Sequence, residues 1–368
     1  MTVSRAVRAS RSDLLRMRRL AQAIDGPHEP DPAAAGRRLL ALQGQDFAAG
    51  CWALAVRTTG ATLSDVLADL DAGRIIRSWP MRGTLHFVPP EDLRWMLSVT
   101  MDRMVASLGR RQQQLGLEAA DFERAAEVVT ATLTGGGSIG RADLMAVWEA
   151  AGIATTGQRG YHLIYFLAQT GLLCWGPVVR SANGNPTQAL VLLDEWAPAP
   201  PALDADEAVA QFLLRYLTGH GPATVRDFVW WTKGTVAGAK TALAVLGDAV
   251  TSIETDGVEY LVTRELADRA AATPATRAEK DAVHLLPAFD EYLLGYQDRS
   301  PILDDEHFEL IVPGNNGIFQ PLIVAGGRVV GTWRREGTKV VPVPFAPLSA
   351  ARERRLQRAA TAYARYAG

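Results

Sequence analysis

Cysteine is the scarcest reactive residue in this chain: Cys51 and Cys174 are the only two in 368 residues, and they stand far apart. An iron–sulfur cluster or a cysteine-built zinc site needs more thiolates at closer spacing, so both are excluded. The six histidines are scattered with none at metal-motif spacing, which leaves only a metal assembled from distant residues. No stretch supplies the roughly 18 consecutive apolar residues that suggest a membrane span. Met1 to Leu20 is rich in arginine but lacks the apolar centre and small-residue cleavage site of a secretion signal. The expectation is a cytoplasmic protein without a membrane partner. Low-complexity tracts are missing as well: the 33 glycines and 20 prolines are dispersed, as turns are.

A large net charge is also absent, at −2. Its distribution is uneven. Residues 1–24 carry six arginines against one aspartate, and residues 324–368 carry nine basic residues against two acidic ones. Residues 190–310 reverse this, with nine basic against twenty-one acidic. Such a chain either offers a basic surface to DNA and keeps its acidic side away, or simply has two solvated basic ends.

What is present is a succession of short helical and strand patterns. Residues 11–24 read as a basic helix, punctuated by GPHEPDP at 26–32. A helical pattern runs from Ala33 to Ala49, and WALAVR at 52–57 reads as a strand. Thr62 or Ser64 starts a short helix, and RSWPMRGTLHFV at 77–88 reads as a turn entering a strand. One long helical stretch is expected over about 90–134, opening on Pro89-Pro90-Glu91-Asp92, followed by two helices and an apolar strand to about 177. A turn or wing is expected at 181–188, and Pro198, Pro200 and Pro201 mark a linker. Three helical segments then precede AVTSIET and VEYLVTR, joined by Asp256-Gly257, a strong hairpin dipeptide. Three helices and a two-stranded ribbon is the winged-helix order. Residues 138–190 offer a weaker version, and 33–88 a weaker one still. Farther on, Gly326-Gly327 joins two strands, KVVPVPFAPLS adds an extended run, and a basic helix spans 349–366. The expected fold class is α+β, with tandem winged-helix units, three in number, and a C-terminal region holding a β-hairpin and a terminal helix. Domain boundaries are expected at 1–134, 135–197, 198–283 and 284–368.

The ordered blocks LLALQGQDF, SWPMRGTLHFV, GPATVRDFVWWT, LLPAFDEYLLGY and IVAGGRVVGTWR resemble the AlkZ-like winged-helix DNA glycosylases, from about residue 5 to the final helix. That resemblance implies three winged-helix units around a DNA-sized concavity. It also implies hydrolytic removal of N7-alkylated purines, bulky adducts and interstrand crosslinks included. The family's catalytic glutamine–any residue–glutamine motif falls on Gln43 and Gln45, with Gly44 between them. A related branch carries Asp at the second position, so Gln45 sides with the branch linked to antibiotic self-resistance. The partner implied is double-stranded DNA containing alkylated purines, bound by a monomer that is nucleoid-associated when on DNA. No cofactor is implied.

An N7-alkylated guanine is cationic and leaves readily, so the protein has mainly to position water and stabilise the oxocarbenium-like sugar. A glutamine offers one acceptor and one donor group without charge, and acts by position and dipole. Residues two apart do not share a helix face, so the pair predicts a helix end or distortion at 43–45; ordinary capping or exposed polar residues are the alternative. Asp46 either stabilises positive charge or, more simply, caps a helix. Arg82 is expected at a DNA phosphate, while His86 either approaches the backbone or is satisfied within the fold. Arg328, Arg334 and Arg335 border the C-terminal hairpin as DNA contacts, and Trp333 is either a wedge or a buried hairpin aromatic. At least one of Trp230 and Trp231 packs a core. Asp290 and Glu291 do not make the opposed carboxylate pair of a sugar hydrolase. Lys233 and Lys240 show no sign of a desolvated Schiff-base nucleophile, so water is the expected attacker and AP-lyase activity is not expected. The competing reading is a non-enzymatic winged-helix regulator or lesion-binding protein.

Overall fold

Local capping chemistry sets much of the observed helix pattern. Ser10 and Asp13 form a reciprocal box that opens the helix Arg11–Ala21, and Thr224 and Asp227 do the same for Val225–Thr232. The computed structural model describes residues 7–181, 183–198, 203–273 and 276–368. The chain is α+β, and it divides into two compact units, 1–66 with 209–368 and 67–208. Among the described residues no helix is long and apolar enough to cross a membrane. Ala182 and the linker prolines Pro200 and Pro201 lie outside the described residues.

In the first unit the helices Ala205–His220, Val225–Thr232 and Val236–Leu246 lead into the antiparallel ribbon Val250–Thr255 and Val258–Thr263. Asp256 and Gly257 turn the ribbon with φ of 52° and 78°, the double left-handed geometry that matches strand twist. Val7–Arg8 adds to the ribbon in parallel. Leu14, Met17 and Ala21 of the first helix pack on Ile253, Tyr260 and Val262. A second sheet is antiparallel throughout, in the order Lys339–Pro344, Arg328–Glu336, Leu322–Ala325, Val283–Leu286. The basic helix Ala350–Ala367 ends the chain.

Two expectations in this unit change. The helix that starts at Pro32 stops at Leu39, because Leu40 takes φ 63° and Leu42–Gln43 is extended. Of the segment read as a strand, 52–57, residues 52–55 belong instead to the helix Phe47–Ala55, which Asp46 caps through the Ala49 N–H at 3.0 Å, and Val56 and Arg57 follow as a turn. An all-apolar run of that length carries no period that separates strand from helix.

The second unit contains the antiparallel strands Ile76–Met81 and Thr84–Val88, joined by Arg82 and Gly83 at φ 57° and 69°. The expected single strand at 77–88 is therefore a hairpin. Leu173–Arg180 and Pro186–Leu192 extend it. The expected long helix over 90–134 is three: Leu93–Ala106, Gly109–Leu115 and Ala119–Leu133. Gly116, left-handed at φ 60°, ends the second, and Glu118 with Asp121 boxes the start of the third. Trp79, Trp148 and Phe122 are among the large side chains of this unit's core.

Candidate functional site

Gln43, Gly44 and Gln45 occupy the break between the helices Pro32–Leu39 and Phe47–Ala55. Gln43 is 9% exposed, whereas Gln45 is open to solvent. The Gln45 backbone N–H donates to the Gln43 side-chain oxygen at 3.2 Å, which folds the first amide over its own turn. Asp46, next in sequence, is the cap already described.

The turn is held from beneath by an acid. The Gln43 N–H donates to Glu291 Oε1 at 3.3 Å, and the indole Nε1 of Trp231 donates to Glu291 Oε2 at 2.8 Å. His220 Nε2 lies 3.3 Å from the same oxygen. The other ring nitrogen of His220 faces the Tyr216 carbonyl at 3.2 Å and must carry a proton, since a carbonyl only accepts. Glu291 is 1% exposed, and these partners are what make its burial tolerable. Asp290 diverges from it and grips Arg57 with both oxygens, at 2.8 and 2.9 Å, both side chains fully buried. Arg57 also donates to the Gln22 backbone and side chain and to the Ala53 carbonyl. Phe289, just before this acidic pair, is held left-handed at φ 59°.

Arg82 and His86 belong to the second unit. His86 is fully buried, with Nδ1 2.8 Å from the Thr84 carbonyl and Nε2 2.9 Å from the Arg82 guanidinium. The carbonyl requires a proton on Nδ1 and the guanidinium requires a lone pair on Nε2, so the ring is neutral and steadies Arg82.

The other expected contact residues separate. Arg328 follows the Gly326-Gly327 turn and pairs with Asp304. Arg334 and Arg335 sit near the opposite end of the same strand, about 20 Å away at ~3.3 Å per residue. Both are exposed, and Arg334 pairs with Glu336. Trp333 is 6% exposed; its Nε1 donates to the Leu286 carbonyl at 2.8 Å and its ring meets Tyr363 edge-on at 4.9 Å. Trp231 is buried on Glu291, whereas Trp230 is half-buried, with Lys233 Nζ 5.5 Å and Arg299 Cζ 5.2 Å from its ring centre.

With this arrangement in view, the family model described as DNA glycosylase AlkZ-like matches residues 37–366. The chain belongs to the AlkZ-like DNA glycosylase family. A curated relative, an interstrand DNA cross-link repair glycosylase of Streptomyces sahachiroi, is 25% identical over 348 residues, covering 92% of this chain and 91% of the relative. The solved structure of the DNA glycosylase AlkZ from Streptomyces sahachiroi is similar at TM-score 0.80 and 25% identity, covering 98% of each chain. This AlkZ-like chain is a DNA glycosylase, which removes the regulator reading. Glu291, with Trp231 and His220 on its carboxylate, braces the Gln43 turn; the sequence patterns give Glu291 and Trp231 no place there and say nothing of His220. The sequence did hold one signal: two adjacent acids inside the apolar segment LLPAFDEYLLGY must find partners if that segment is buried.

Proposed function

We propose that this AlkZ-like glycosylase hydrolyses the N-glycosidic bond of N7-alkylated purines in double-stranded DNA, with Gln43 and Gln45 as its catalytic pair. The supporting observation is the turn itself: a buried amide fixed by a braced backbone, two residues from an exposed one. In this reading Gln43 orients the water and the exposed Gln45 meets the nucleotide. The water oxygen bonds to the sugar C1′ as the C1′–N9 bond breaks. The bonding pair returns to the purine and cancels its charge, and the proton leaves to solvent. Fixed amide dipoles lower this barrier because they need no reorganisation as charge develops on the sugar.

The protein acts as a monomer built from three winged-helix units. Helices 205–246 with their ribbon form the clearest unit, and 138–190 and 33–88 supply the others. Arg82, and Arg334 with Arg335, contact phosphates. The Streptomyces sahachiroi relative is named for interstrand cross-link repair, and we extend bulky adducts and crosslinks to this chain as substrates. Hydrolysis stops at the abasic site: Lys233 and Lys240 are both exposed, whereas a Schiff-base lysine is activated by desolvation or a neighbouring cation.

The test is incubation of the purified protein with duplexes bearing N7-methylguanine, a bulky N7 monoadduct or an N7 crosslink. Free alkylated base and an unbroken abasic strand are expected, with strand breaks only after heat or alkali. EDTA should leave release intact and borohydride should trap no protein–DNA adduct. No release from any of the three substrates, or a trapped adduct, would overturn the reading.

A further inference from the structure

One cavity lies outside the Gln43–Gln45 region and has no part in the chemistry above. It measures about 520 Å³ and sits in the first unit, between the C-terminal end of the helix Phe47–Ala55 and the terminal helix Ala350–Ala367. The glutamine turn adjoins the other end of Phe47–Ala55, about 13 Å away at ~1.5 Å per residue. The volume falls in the range of small-molecule sites.

The charge in the lining comes from one helix. Arg355, Arg358 and Arg365 contribute from the terminal helix, with no Asp or Glu among the lining residues; His28 and His284 form the facing wall, and burial lowers the pKa of His28. Positions 355, 358, 362 and 365 fall on one helix face by their spacing. None of the three guanidiniums has an ion-pair partner among the described residues. Asp25, behind the wall, is already committed to His284 at 2.9 Å and to Arg19. The floor is apolar and fixed: Trp52 donates from Nε1 to the Leu285 carbonyl at 2.8 Å and packs against Tyr363 and Tyr366. Ala359 and Ala362 leave the space open by their small size.

Three like charges gathered on one face repel each other unless an anion joins them. An apolar floor beneath them suits a ligand with a flat body as well as a charge. We propose that this cleft binds a small organic phosphate, a phosphate monoester on a heterocyclic or apolar body of about nucleoside-monophosphate size. Arg355 and Arg358, one turn apart, take the phosphate, and the body lies over Val56 and Ala362. A duplex backbone offers phosphates too, but its convex polar edge has nothing to place on that floor.

The experiment is calorimetric titration of the full chain with deoxyadenosine monophosphate, deoxyadenosine and inorganic phosphate, beside duplex affinity. The monophosphate should bind, and removal of either its base or its phosphate should weaken binding by about tenfold or more. Arg355→Ala with Arg358→Ala should cause a similar loss at unchanged melting temperature, with base release from N7-methylguanine DNA preserved. Ala362→Trp, at an exposed helix position, fills the cleft and should abolish monophosphate binding while leaving the arginines in place. No binding of the monophosphate up to about 10 mM, or undiminished binding in both variants, would overturn the proposal. So would loss of duplex affinity in the arginine variant when the wild type ignores the monophosphate, because the phosphate source would then be DNA.

Discussion

At Gln43 the backbone is held by a carboxylate that is itself held by an indole and an imidazole, all of them buried. At Arg334 and Arg335 the side chains project into solvent, with one exposed ion pair to Glu336. The first arrangement holds a neutral group through its backbone and its side-chain oxygen. The second offers charge on a flexible stem. Chemistry on a glycosidic bond needs position, because an amide has only its dipole to give; a phosphate contact needs charge and tolerates motion. The two regions should therefore respond differently to the same kind of truncation.

The largest difference is in stability. Asp290→Ala strands the fully buried Arg57 and should destabilise the protein by about 3–5 kcal/mol, read from denaturant unfolding. Arg334→Ala should stay within about 0.5 kcal/mol of wild type. Equal effects would dissolve the contrast between a braced and an unbraced region.

Acid should act next, on Asp25 behind the wall of the basic cleft. Burial alone would raise the Asp25 pKa, but His284 and Arg19 more than offset it and hold the group at about 2. A folded pKa below the unfolded one adds stability that is complete above about pH 4 and lost as pH falls toward 2, on the order of 2 kcal/mol. Asp25→Asn should remove most of that slope in an unfolding series across this window. An unchanged slope would mean that Asp25 is not held as described.

Glu291 tests whether bracing matters to catalysis. Glu291→Gln keeps the size but weakens the hold on the Gln43 N–H. About tenfold slower base release is expected, roughly 1.4 kcal/mol, with duplex affinity unchanged. A loss in affinity matching the loss in rate would make Glu291 merely structural. The smallest effect belongs to the hairpin. Arg334→Ala with Arg335→Ala should lower the salt slope of duplex binding by about 2, roughly 0.9 per phosphate, and leave the saturated excision rate alone.

Sequence made some of this visible and not the rest, for identifiable reasons. The ribbon at Asp256-Gly257 was legible because a left-handed dipeptide is a local signal. The hairpin at Arg82-Gly83 was missed although its turn has the same geometry, since Arg is an uncommon residue at positive φ. The break at Leu40 was foreseen only through the spacing of Gln43 and Gln45, which a regular helix cannot serve. The helix over Phe47–Ala55 was misread because its apolar run has no period. The apolar segment around Asp290 and Glu291 signals that these acids need partners, but not which: Gln43, His220 and Trp231 lie on segments far apart in the chain, and only the fold brings them to Glu291.

The most direct measurement is single-turnover base release at saturating protein from a duplex with one N7-methylguanine, for wild type, Gln43→Ala, Gln45→Ala and the double variant. Each single change should slow release about tenfold to a thousandfold, or 1–4 kcal/mol, with duplex affinity within about twofold of wild type. On the proposed mechanism, in which both amides serve one transition state, the double variant should fall short of the sum. Wild-type rates in both single variants, with the protein folded and the DNA bound, would contradict the paired-glutamine mechanism outright.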